Sequence, residues 1–152
     1  MKLITHDIFA FGLSTYVLAR VFSTGIATSV ILSLVLAFAT NRIIDAGHTQ
    51  KHGYPTRSYI THSIFTAPIW GLLVGLAIST IVLFAFHVNI LFLGAVSGIL
   101  IAYAHLFLDA PTEGGVFFWR KRIALAHFRY NNALANGFAI LVGILLLAIT
   151  VL

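Results

Sequence analysis

Five long apolar segments, at residues 8–22, 26–44, 60–86, 90–108 and 133–152, leave this chain few ways to fold. A transmembrane helix needs roughly 20 mostly apolar residues, with a range of about 17–25. The first segment is the shortest of the five. Only 9% of the residues are charged, against roughly 25% in soluble domains. So few charges cannot cover a water-facing surface, so the bilayer is the expected solvent. The expectation is an all-α polytopic membrane protein of about five transmembrane helices, forming one integral membrane domain over residues 1–152. The Thr5-His6-Asp7 cluster stands where a signal peptide would begin its apolar core, so the first segment is expected to be retained.

The connections alternate in character. Those after the first and third segments are very short, whereas residues 45–59 and 109–132 are long and polar. The basic residues follow the same alternation. Lys2, Arg42, Lys51, Arg57, Arg120, Lys121, Arg122 and Arg129 fall at one side and Arg20 alone at the other. Positive charge gathers in cytoplasmic loops, so the chain is expected in the cell membrane with its N-terminus cytoplasmic and its C-terminus outside. The net charge of +5 is explained by this placement, and no nucleic-acid partner is expected.

Residues 117–130 mix Phe117, Phe118, Trp119, Phe128 and Tyr130 with the Arg120–Arg122 cluster. Two readings stand side by side: a short interfacial helix pressing aromatics into headgroups with its cations facing anionic lipid, or a simple topological anchor.

Ionisable residues mark candidate functional sites at membrane depth, and here they gather at one face. His6 stands at the start of the first span, Asp45 and His48 follow the second, His62 stands at the start of the third, and His105 and Asp109 end the fourth. The i, i+4 spacing of His105 and Asp109 puts both on one side of a helix, about a turn apart. There is no cysteine, so any ion must be held by imidazole and carboxylate, a donor set suited to Zn²⁺, Mn²⁺ or Fe²⁺. The expected ligands are His6, Asp45, His48, His62, His105 and Asp109. A lone interfacial histidine is more often a hydrogen-bonding anchor, and it is the convergence of four helix ends that favours a metal. His87 lies at the opposite side and is expected to play no part; His52 and His127 are loop residues on the ligand side.

These residues fall into ordered motifs: Thr5-His6, Asp45-Ala46-Gly47-His48, Arg57 followed by Thr61-His62-Ser63, and His105-Leu106-Phe107-Leu108-Asp109-Ala110-Pro111-Thr112 with Gly114-Gly115. In these, over nearly its whole length, the chain resembles the YdjM-type membrane-bound metal-dependent hydrolases, particularly their small archaeal branch. That family is in turn similar to zinc-dependent phospholipase C. The resemblance implies that Asp45, His62, His105 and Asp109 hold one zinc, and that Asp109 bridges to a second ion also touched by His6. The phospholipase pattern continues with a further His and a His-x-x-x-Glu pair, which this sequence lacks. It also has Thr56-Arg57 where the family pattern places His-Arg.

The expected function is metal-assisted hydrolysis of a phosphoester, of a small molecule or a lipid headgroup, with one or two divalent ions. Asp109, Arg57 and Glu113 are the candidate catalytic residues. Arg57 and Arg120–Arg122 are placed to pair with phosphate. Glu113 or Asp7 is a candidate proton acceptor or orienter of a histidine, although Asp7 equally suits the positive end of a helix. The alternative is a non-catalytic metal-binding subunit with a membrane-protein partner or a second copy of itself. Small residues in the third span (Gly71, Gly75, Ala77) and the fourth (Gly94, Ala95, Ser97, Gly98) suit close helix packing, which a monomer needs as well. Transport is not expected, because the middle of each span carries no charge.

Overall fold

The computed structural model describes residues 1–51 and 54–152. Its elements, in chain order, are α1 (Leu3–Tyr16) running into a π-helical turn (Val17–Val21), α2 (Ile26–Asp45), strands β1 (Thr49–Lys51) and β2 (Tyr54–Thr56), α3 (Tyr59–His62), α4 (Ala67–Phe86), α5 (Leu91–Asp109), strands β3 (Val116–Phe118) and β4 (Lys121–Ile123), and α6 (Ala133–Val151). Among the described residues, α2, α4, α5 and α6 are long and apolar enough to cross a membrane. The chain is therefore an all-α polytopic membrane protein. The helix starting at Leu3 begins five residues before the apolar segment predicted at 8–22. With its π turn it spans about 28 Å at 1.5 Å per residue, close to the thickness of a hydrocarbon core. The wide turn frees the Leu18 carbonyl, which accepts from the backbone N–H and hydroxyl of Thr24 at 3.0 and 2.8 Å.

Helices α1, α2 and α5 form the centre, with α6 against α1 and α4 against α5. Leu18, Leu36, Ala37, Ile101 and Ala104 fill the interior. The outer faces of α4 and α6 present Ile69, Phe84, Leu134 and Phe138, which lipid can cover. Gly71 and Gly98 meet across the α4–α5 seam, where a Cβ on either residue would fall on the other's backbone carbonyl. Glycine here lets two backbones touch. Ala77 faces outward and takes no part in that seam.

Two local expectations are corrected. The third segment, predicted continuous from 60 to 86, is broken between α3 and α4. Pro68 stands in the first turn of α4, where its ring is tolerated; a helix running through from residue 60 would set that ring against the carbonyl four residues back. Ser63 is extended instead, and Ile64 donates its N–H to the Phe117 carbonyl at 3.0 Å. The expected interfacial helix at 117–130 is absent, because the segment opens with a β-hairpin. Val116, Phe117 and Phe118 are β-branched or aromatic, and they pair with Ile123, Arg122 and Lys121 across a Trp119-Arg120 turn. Trp119 adopts φ +58° there.

Candidate metal centre

Six side chains predicted as ligands lie at one end of the bundle. His6 comes from the first turns of α1, Asp45 from the last turn of α2, His48 from just beyond it, His62 from α3, and His105 with Asp109 from the end of α5. The break after α3 matters here. A continuous helix from residue 60 would carry His62 along the α4 axis, whereas the separate α3 turns it inward, fully buried. Gly47 makes room for this turn, since a Cβ there would collide with the Thr61 side chain.

The donor atoms meet at a common point. His105 Nε2 lies 3.3 Å from Asp45 Oδ1 and 3.3 Å from Asp109 Oδ2. His62 Nε2 lies 3.6 Å from Asp45 Oδ1 and 3.8 Å from Asp109 Oδ2. Three of these atoms, His62 Nε2, His105 Nε2 and Asp109 Oδ2, are buried without a hydrogen-bond partner. Orphaned buried polar atoms are costly, and three aimed at one spot fit a shared cation. Donors that bind one small divalent ion at about 2.0–2.2 Å must lie roughly 3–4 Å from one another, which is the spacing seen. The donor set therefore fits a divalent metal; His6 with His105 and Asp109, and Asp45 with His48 and His62, are groups that could hold one.

Asp109 divides its work between its two oxygens. Oδ1 accepts from Arg57 Nη2 at 2.6 Å and from the Met1 amino group at 2.7 Å, and faces His6 Nε2 at 3.2 Å. Oδ2 is left for the His62–His105 side. His6 stacks on His105 with ring centres 3.9 Å apart. His48 stacks on His62 at 4.8 Å and approaches Asp45 Oδ1 at 3.6 Å. Burial pulls the His62 imidazole down to about 4 and lowers that of His48 as well. Both rings are therefore neutral near pH 7 and have lone pairs to give.

Arg57 is not free to clamp an incoming anion. Its Nη1 donates to Thr112 Oγ1 at 2.9 Å and to the Gly115 carbonyl at 2.7 Å, while Nη2 holds Asp109. A side chain at Gly114 would collide with this guanidinium. Beside the cluster opens a cavity of about 800 Å³, walled in part by His48, Arg57, Lys2, Arg122, Glu113 and Phe117. Glu113 is exposed on that wall. Arg120 lies over the Tyr59 ring at 5.5 Å. His87 caps the far end of α4 and His127 sits exposed in the last loop, both apart from the cluster. His52 lies outside the described residues.

Two supporting residues were not predicted. Asn41 is fully buried one turn before Asp45, its Oδ1 3.0 Å from His105 Nδ1. Thr61 Oγ1 lies 2.9 Å from His62 Nδ1. A buried amide at i, i+4 from a predicted ligand, inside an apolar span, is the one signal that could have found Asn41. Asp7 supports the site through that amide, accepting from Asn41 Nδ2 at 3.0 Å.

Residues 1–108 match the family model described as a protein of unknown function, DUF1286, and the chain belongs to that family. The match takes in His6, Asp45, His48, His62 and His105 and ends one residue short of Asp109. No curated protein and no solved structure matches the chain.

Proposed function

Taking membership of DUF1286 as the premise, we propose that this chain is a membrane-bound, metal-dependent hydrolase that cleaves a phosphoester at the cytoplasmic bilayer surface. The observation that carries the reading is the set of orphaned donors, His62 Nε2, His105 Nε2 and Asp109 Oδ2, facing one another beside Asp45 and next to a cavity. Asp45, His62, His105 and Asp109 would hold one ion, with zinc favoured by two imidazoles and two carboxylates. A second ion beside His6 is disfavoured because Asp109 Oδ1, which it would need, already takes three cationic or imidazole partners. Such an ion supplies Lewis-acid polarisation of a phosphoryl oxygen and a water of lowered pKa.

The protein's own residues supply the rest. Lys2 and Arg122 line the cavity and give it the positive field a phosphate needs. Arg57 holds Asp109 in place rather than binding substrate. Glu113 is the carboxylate on the cavity wall, suited to take a proton from the attacking water and return it to the leaving oxygen. Phe117 and Tyr130 offer apolar contact to the organic part of the ester. The resemblance to YdjM-type hydrolases points the same way.

The test is purification in detergent, elemental analysis, and assay against an aryl phosphate and a phospholipid in mixed micelles. About one zinc per chain and turnover abolished in His105→Ala are expected. Absence of stoichiometric metal, or turnover untouched by His105→Ala, would remove the proposal. Metal without turnover on any phosphoester would leave the non-catalytic metal-binding subunit as the better account.

A further inference from the structure

We infer that Asn41, oriented by Asp7, is the positioning residue that presents His105 to the metal in its one useful form. The inference rests on the metal-centre reading and concerns how the chain builds that site. Imidazole binds a cation only through a nitrogen that lacks a proton, and for His105 the nitrogen facing Asp45 and Asp109 is Nε2. Its Nδ1 must then carry the hydrogen and needs an acceptor, or a buried N–H is left unpaired.

The neighbours determine which form is present. The carboxylate of Asp7, paired with Arg42, can only accept hydrogen bonds. It lies 3.0 Å from Asn41 Nδ2, so the amide must turn its NH₂ toward Asp7. The same turn aims Asn41 Oδ1 at His105 Nδ1, 3.0 Å away. An amide oxygen can only accept, so Nδ1 carries a hydrogen, and in the neutral ring this leaves the lone pair on Nε2, facing the cluster. Arg42 fixes the start of the chain, its Nη1 lying 3.1 Å from Asp7 Oδ2 and donating to the Phe38 carbonyl at 2.9 Å. An acid on α1 thus sets the tautomer of a histidine on α5 through an amide on α2. His62 has no such device: the hydroxyl of Thr61 can donate or accept, so its contact at 2.9 Å specifies neither form.

The experiment is cobalt(II) binding by detergent-purified protein, with affinity from chelator competition and the visible d–d spectrum as a report of ligand number and geometry. Asn41→Leu keeps the bulk and removes the acceptor. It is expected to weaken cobalt binding roughly 10- to 100-fold and to alter the d–d bands. The charge-conserving swap Asp7→Asn with Asn41→Asp restores a chain in which residue 41 accepts from His105 Nδ1. It should recover most of the affinity and the wild-type spectrum, a rescue that a merely structural role for Asn41 would not produce. Wild-type uptake of cobalt together with an unchanged affinity and spectrum in Asn41→Leu removes this inference alone. Should Asn41→Leu not fold, failure of the folded swap variant to bind cobalt as the wild type does also overturns it. A wild-type protein that takes up no cobalt removes the metal centre, and this inference with it.

Discussion

Arg57 reaches three acceptors from one planar group: the Asp109 carboxylate, the Thr112 hydroxyl and the Gly115 carbonyl. Lysine carries the same charge but cannot fork in this way. Arg57→Lys is therefore expected to keep one contact and lose the others. Unfolding in detergent should show a loss of about 1–3 kcal/mol for the acceptors left unpaired. Chelator competition should show metal affinity reduced about tenfold, because Asp109 loses its outer support. Unchanged affinity would mean that Asp109 is held without Arg57, by its helix, the Met1 amino group and His6. The gathering of these side chains was legible in the sequence because imidazoles and carboxylates stand out in an apolar chain, and because His105 and Asp109 sit one turn apart. Arg57 was legible as a site residue but its task was not. Spacing says that a cation is nearby; only the fold shows that its guanidinium is already engaged. Asn41 left a fainter trace, since an amide beside Asp45 reads equally well as part of a helix end.

The helices follow from hydropathy, because a segment that must satisfy its backbone inside lipid has no alternative to the helix. The breaks follow from details that hydropathy averages away. Pro68 interrupts the third segment without making it less apolar, and the hairpin at 116–123 hides in a stretch whose aromatics and cations suit a helix as well. Helix packing gives a cleaner test. At the α4–α5 seam a methyl group on Gly98 would strike the Gly71 carbonyl, and backbone cannot move aside as a side chain can. Gly98→Ala is expected to cost about 1–3 kcal/mol in denaturant unfolding from micelles. It should also loosen metal binding, because α5 carries His105 and Asp109. Ala77→Leu, on the outward face of α4, should change stability by less than about 0.5 kcal/mol. Equal effects at the two positions would show that the α4–α5 seam does not depend on its close backbone approach.

At the scale of the whole molecule, most of the charge gathers at one end. The cluster, the cavity and both hairpins lie there, together with Lys2, Arg42, Arg57, Arg120, Lys121 and Arg122. At the opposite end Arg20 donates to the carbonyls of Ile149 and Thr150 at 2.9 and 3.2 Å, so its charge is spent on the end of α6. The sequence carried this asymmetry openly, since it depends on counting cations in loops and not on knowing how the helices pack. It makes a prediction about orientation that is independent of any metal. The chain has no cysteine, so single cysteines can be introduced on a silent background. Lys121→Cys lies at the ligand end and Val88→Cys in the exposed loop between α4 and α5. In intact cells a membrane-impermeant maleimide should label Val88→Cys and spare Lys121→Cys, and inverted vesicles should reverse the pattern. If Lys121→Cys is labelled from outside, the cationic end faces away from the cytoplasm against the positive-inside bias. The proposed hydrolysis would then have to act on a phosphoester at the outer surface.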